Sequence, residues 1–254
     1  MEYVEFWRVR RSLLWHAGIV AVIVLVILTL PQVGTVHVVG PGGSTKFAPG
    51  AGAPLGMLST IAAFFAAIYA SSVGTSLNRE NGTRDLSWTK PLSRTLLALR
   101  YILIDLAGVL IAFGIALAAA AVVTTYMHFT PFFDAQAPVQ IALGTGVGAM
   151  WYGLLQVATC VGPPSARSLA GILWPVAFVV AGLSHLPGSI GAIMRALDVI
   201  NPLNYMSSTS VDGTTGSATV LQGPMPADER ALIVWCFTLA FCALAIYLWP
   251  RKEA

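Results

Sequence analysis

Residues Asn78–Arg94 read NRENGTRDLSWTKPLSR, a polar island between two long apolar segments. Within it Arg79, Arg84, Lys90 and Arg94 are basic, and Glu80 and Asp85 are acidic. Gly82 can end an incoming helix in the left-handed conformation that residues with a side chain resist. Thr83 can then cap a new helix, with Asp85 in its positively polarised first turn. Pro91 disfavours helix at Lys90, which keeps that helix short. Ser93 is placed to cap the next long apolar helix. The stretch therefore predicts two long helices joined by a short, charged, capped one, a surface suited to meeting another protein.

Composition says where those long helices lie. Apolar residues make up 56% of the chain and charged residues 10%, and the mean hydropathy is +0.76. A soluble domain carries about a quarter charged residues. With so few charges the apolar faces must be solvated by lipid, so the chain reads as an integral membrane protein. A net charge of +3 is too small for a nucleic-acid-binding surface. Cys160, Cys236 and Cys242 lie in or beside apolar segments, without CxxC or His/Cys ligand spacing, and read as small packing residues.

A membrane span needs about 20 mostly apolar residues. Leu13–Leu30, Leu55–Leu77, Thr95–Met127, Val139–Val157, Ser168–Leu183 and Arg230–Trp249 qualify or nearly do. The fifth contains Pro175, which is expected to kink it. Before the first, Tyr3, Phe6 and Trp7 fall at helical spacing among charges, which predicts an interfacial helix over residues 1–12 lying on the membrane. The first apolar run is too long for a typical signal peptide and lacks an A-x-A site, so it is expected to be a retained anchor. The fold class expected is an all-α integral membrane protein, a single domain over residues 1–254 with six transmembrane helices.

Lys and Arg orient the spans. With the N-terminus inside, the inner side collects eleven of them, from Arg8, Arg10 and Arg11 through the island to Arg251 and Lys252. The outer side holds three: Lys46, Arg195 and Arg230. Both termini and the island are then cytoplasmic. Of the outer segments, Pro31–Pro54 is Gly- and Pro-rich and reads as irregular, His128–Pro138 is short, and Ser207–Gln222 reads as loop. Residues 184–229 also contain Ile190, Ile193, Met194, Leu197 and Ile200, an apolar stripe at helical spacing with Arg195 and Asp198 off it. Bounded by Pro187-Gly188 and Asn201-Pro202, and too short to span at about 18 Å, it predicts a re-entrant or interfacial outer helix before the sixth span.

Motifs for chemistry are sparse. Gly40–Lys46 lacks the Gly-Lys-Ser/Thr ending of a phosphate-binding loop. Gly144-Thr-Gly-Val-Gly148 sits in an apolar span, where small residues four apart let helices approach. No HExxH or GxSxG occurs, and His16, His37, His128 and His185 are scattered. Asp105, about two turns into the third span, is the exceptional deep carboxylate; Arg100 and Tyr101 are candidate partners, with a structural role favoured over transport. Tyr69, Ser72 and Ser76 share a face of the second span, and with Gln156 of the fourth they either pack helices or line a substrate path.

The island resembles the cytoplasmic connector of ABC-2-type transporter permeases, which carry a pattern like E-x-G-T-…-L-…-P-x-S-R between their second and third spans. The matching residues are Glu80, Gly82, Thr83, Leu86, Pro91, Ser93 and Arg94. Asn201-Pro202-Leu203 resembles the N-P-L motif that follows the family's outer helix, while Trp88-Thr89-Lys90 departs from its usual small or apolar residues. The resemblance implies a permease subunit of an exporter for a lipid, glycan, drug or peptide, in the bacterial cytoplasmic (inner) membrane. It implies a second permease copy or paralogue and separate ATPase subunits, which carry ATP and Mg, with no cofactor in this chain. The helix starting near Thr83 would be the coupling helix, with Arg84 within reach of Glu80. The alternatives are a membrane-embedded lipid-modifying enzyme and a non-transporting assembly subunit.

The charge count generates a direct test of orientation. In a chain freed of its native cysteines, Ser44→Cys and Ser217→Cys are expected to react with an impermeant thiol reagent applied to intact cells, and Ser87→Cys is not. Labelling of Ser87→Cys from outside reverses the orientation.

Overall fold

In hydrocarbon a backbone must satisfy its own N–H and C=O groups, which a helix does within a single segment. Each of the six apolar segments accordingly forms helix in the computed structural model, which describes residues 2–29, 35–40, 43–47, 52–75, 93–161, 166–206, 208–212, 217–221 and 225–252. The helices are α1 (Glu2–Leu28), α2 (Leu55–Val73), α3 (Arg94–Tyr126), α4 (Ala137–Val161), α5 (Ala166–Leu183), α6 (Gly188–Asp198) and α7 (Ala227–Lys252). Four stretches, Phe6–Leu28, Thr95–Tyr126, Ala137–Val161 and Ala227–Trp249, are long and apolar enough to cross a membrane, the pattern of a multi-pass membrane protein. The described apolar stretches of α2 and α5, Leu58–Val73 and Gly171–Leu183, are shorter.

The N-terminus differs from expectation. The separate interfacial helix over residues 1–12 is instead the first part of one unbroken α1. Residues 2–17 hold no Gly or Pro to break the helix, so polar and apolar portions continue on one axis.

Cross-helix contacts fix the directions. Arg8 meets Asp105 and Tyr126 Oη donates to the Leu28 carbonyl at 2.9 Å, so α1 and α3 run parallel. That second bond also satisfies a carbonyl at the end of α1 that has no partner within the helix. Ser12 opposite Ser72 sets α2 antiparallel to α1. Tyr152 on Asp105 and Gly148 against Val109 set α4 antiparallel to α3, while Trp235 Nε1, donating to Ala142 O at 2.9 Å, and Phe241 against Gly153 set α7 parallel to α4.

The core centres on α4, where Met150, Trp151, Tyr152 and Leu155 are fully buried. Its glycines admit the neighbouring helices. A Cβ on Gly148 would lie 2.8 Å from Ala66 Cβ and 3.2 Å from Val109 Cγ1, so α2 and α3 rest on its backbone. On the other face a Cβ on Gly146 or Gly153 would lie 2.9 Å from Val234 or Phe241 of α7. The small residues read as packing positions in the sequence do pack here.

At α3's end, His128 adopts φ 64, Phe129 N donates to Thr124 O at 3.0 Å and His128 N to Thr125 O at 3.1 Å. This is a Schellman closure with His in the position that glycine usually takes.

Two of the segments expected to be irregular or loop contain strands among their described residues. β1 (Thr35–Gly40) and β2 (Gly43–Phe47) form a hairpin within Pro31–Pro54. β5 (Ser208–Asp212) and β6 (Ser217–Leu221) form another within the expected Ser/Thr/Gly loop. The hairpins join through parallel β1 and β6, giving a sheet in the order β2-β1-β6-β5. β3 (Gly52–Pro54) and β4 (Thr130–Phe132) make a second, parallel pair. Strand order here depends on partners far apart in the chain, which local composition does not reveal.

Gly148→Val is expected to cost about 3 kcal/mol by overpacking, because the opposing atoms belong to Ala66 and Val109 rather than to long flexible side chains. Gly114→Ala points into open space and is expected to be neutral or stabilising by up to about 1 kcal/mol. Denaturant or thermal unfolding in one detergent, read side by side, checks both.

Candidate functional site

A carboxylate cannot stay charged inside a helix bundle unless a cation or strong donors meet it. Asp105 lies about 16 Å along α3 from its start at 1.5 Å per residue and has 0% of its surface exposed. Its Oδ1 receives Arg8 of α1 in an ion pair, and its Oδ2 accepts the Tyr152 hydroxyl of α4 at 3.1 Å. These partners come from other helices, whereas the sequence pointed to Arg100 and Tyr101 on the same one. The available signal was the Arg8–Arg11 cluster opposite a lone deep acid, but it cannot be used until α1 and α3 are known to run parallel.

Around this junction lie further polar contacts. Ser72 Oγ donates to the Tyr69 carbonyl at 2.7 Å, which leaves it to accept from Ser12 Oγ at 2.9 Å. Tyr69 is buried, its ring edge-on to His16 with centroids 5.5 Å apart. Gly108 makes room for it, since a Cβ there would lie 2.5 Å from the Tyr69 hydroxyl and 3.0 Å from Val9 Cγ1. Next to Ser72 in α2, Ser71 is saturated: Trp151 and Trp174 donate their indole N–H groups to its oxygen at 2.8 and 2.9 Å, and it donates to Ala67 O at 3.0 Å. That single hydroxyl ties α2, α4 and α5 together. Gln156 is fully buried in α4. Ser76 lies outside the described residues.

The island residues Glu80, Gly82, Thr83, Arg84, Leu86 and Pro91 also lie outside the described residues. Its end does not: Ser93 is the N-cap of α3, with Oγ accepting from Leu96 N at 3.3 Å, and Arg94 opens the helix.

At the opposite end, α6 forms where the sequence places it, and folds back on α5. Arg195 donates to Ser184 O at 3.1 Å and Leu186 O at 3.3 Å. Asn201 closes the hairpin: its Nδ2 donates to Ala177 O at 3.0 Å and to Asp198 Oδ1 at 2.8 Å, and its Oδ1 accepts from Leu203 N at 3.1 Å. Pro202–Tyr205 then make a short 3-10 turn. Tyr205 Oη donates to Val199 O at 2.6 Å. Burial, and secondarily the Asp198 carboxylate, raise the Tyr205 phenol above its ordinary pKa, so it stays a donor at neutral pH. Arg230 Nη1 donates to Tyr205 O at 3.3 Å, tying the turn to α7. The stripe residues Ile190, Ile193, Leu197 and Ile200 remain exposed, so α6 presents an apolar face outward.

One ion pair holds α1, α3 and α4 at the arginine-rich end, and one amide holds α5 to α6 at the sheet end. Among the described residues, Asp105 is the only carboxylate more than one turn inside a helix. Comparison with protein-family models, curated proteins and solved structures finds no match.

Asp105→Ala and Arg8→Ala are each expected to lose about 3–5 kcal/mol, because each removes one partner of an ion pair at a buried carboxylate. The double variant Arg8→Met/Asp105→Leu is expected to recover most of that loss. Unfolding of the three variants against the parent checks this; a double variant as unstable as the sum of the singles would show that the pair is not the link.

Proposed function

We propose that this chain is the membrane-spanning permease subunit of an ABC-2-type ATP-binding cassette transporter, working as a pair of permease copies with separate ATPase subunits. The observation that carries the reading is the Glu80–Arg94 pattern in the sequence, between the segments that form α2 and α3. Ser93 capping α3 supports it, since the pattern's last residues then form the start of the third helix. The α5–α6 hairpin, clamped by Asn201 of the N-P-L sequence, supports it at the other end.

In this reading α2 and α5 complete six spans, and the arginine-rich end faces the cytoplasm of a bacterial inner membrane. The helix beginning near Thr83 couples to the ATPase, and nucleotide-driven closure moves α2 and α3 as a rigid pair. The saturated Ser71 and the Arg8–Asp105 tie carry that movement into α4, α5 and α1. The exposed apolar face of α6 borders the outer exit for an apolar or amphipathic compound.

The test joins partner and coupling. Purified alone, the chain is expected to hydrolyse no ATP; co-expressed with its cognate ATPase, it is expected to form a complex with two copies of each subunit type. Gly82→Val opposes a left-handed bend. Glu80→Ala removes at most an exposed ion pair, worth about 0–1 kcal/mol. Both are expected to leave folding and expression near parental levels and to lower transport. Variants that bind the ATPase and transport like the parent remove the coupling assignment, and a transport-competent protein without any ATPase removes the proposal.

A further inference from the structure

The N-terminal part of α1 carries more positive charge than the bundle uses. Arg8 is paired with Asp105, but Arg10 and Arg11 are exposed. They border a cleft of about 780 Å³ between α1 and the end of α2, lined also by Trp7, Ser12, Trp15 and Ser72. Arg10 is stacked over the Trp7 ring at 4.7 Å, which holds its guanidinium at the rim. A planar guanidinium recognises phosphate oxygens in pairs, and Trp sits where headgroups meet hydrocarbon.

The face that continues from this cleft is apolar. Trp7, Arg11, Leu14, Gly18, Val22 and Leu25 recur at steps of three or four, so they lie on one side of α1. All are exposed or nearly so, and nothing lies within 4 Å of a Cβ placed on Gly18. The result is a shallow notch in an apolar stripe headed by a cation. From Arg11 to Leu25 the stripe runs about 21 Å, more than the roughly 15 Å of one hydrocarbon leaflet.

We propose that this cleft and stripe bind one anionic glycerophospholipid, its phosphate between Arg10 and Arg11 and one acyl chain along α1 over Gly18. The charge selects the headgroup. The stripe selects a lipid over free phosphate, because a soluble anion would gain nothing from Leu14, Val22 and Leu25. Nothing in this assignment depends on the transport proposal, since it needs only α1 in a bilayer.

The experiment titrates the full-length detergent-solubilised protein with phosphatidylglycerol and, separately, phosphatidylcholine, counting bound lipids by native mass spectrometry. The parent is expected to retain one phosphatidylglycerol preferentially. Arg10→Gln/Arg11→Gln is expected to weaken that binding roughly thirtyfold, from about fivefold per arginine, and to leave phosphatidylcholine unaffected. Gly18→Leu, which fills the notch without touching charge, is expected to weaken phosphatidylglycerol as well. Millimolar inorganic phosphate is expected not to displace the lipid. Unchanged phosphatidylglycerol binding in the arginine variant overturns the proposal, and displacement by inorganic phosphate reassigns the cleft to a soluble anion. Should the arginine variant fail to fold, the parent alone decides. Its melting temperature is expected to rise in phosphatidylglycerol-containing vesicles over pure phosphatidylcholine, and no rise overturns the site.

Discussion

A fully buried carboxylate must be answered, and at Asp105 the answer comes from two other helices. The Arg8 guanidinium and the Tyr152 hydroxyl occupy its two oxygens, so the position and tilt of α1 and α4 against α3 are set at one point. Much nearby geometry follows from that point. Ser12 comes opposite Ser72, His16 meets Tyr69, and Gly108 has to remain without a side chain. Pairs of this kind contribute little net stability against an apolar replacement, but they penalise every arrangement that separates them. Here that penalty selects one register of α1 from the several that an apolar helix could adopt.

Packing around α4 works on different physics. Lipid tails are as apolar as leucine, so helices in a bilayer gain from close fit rather than from leaving water. Gly148 admits α2 and α3 on one face while Gly146 and Gly153 admit α7 on another, and the large side chains Trp151 and Tyr152 fill the remaining directions. Both end in hydrogen bonds, Trp151 on Ser71 and Tyr152 on Asp105, so the same residues that fill space also fix orientation.

The amount that was legible in the sequence differs by feature. Apolar run length was enough to find the four helices long and apolar enough to cross a membrane, because lipid solvation leaves a composition signal that needs no partner. Ser93 and the α6 helix were legible for a similar reason, since caps and amphipathic stripes are local. The continuity of α1 was missed because charge at its start was taken as a boundary, although only a backbone break ends a helix. The partner of Asp105 and the outer sheet were illegible because both rest on contacts between residues far apart in the chain. For the island itself, residues 76–92 lie outside the described part, so the sequence stands alone there. Tyr69 and Gln156 are buried in the bundle, while Ser72 serves a contact between α1 and α2.

The parallel pairing of β1 with β6 has a consequence for the order in which the protein is made. Thr35 pairs with Ser217, 182 positions later by subtraction. During synthesis the β1–β2 hairpin emerges early, and its pairing edge stays open until all but the last helix has been inserted. An open strand edge invites pairing with another chain, so this long wait is the interval of greatest exposure to misassembly. Once β6 arrives, the sheet joins the segment after α1 to the segment before α7 and ties the end of α1 to the start of α7. The bundle is thereby latched by the final pieces to be completed, and the face that carries the sheet reaches its finished form only once β6 has been made.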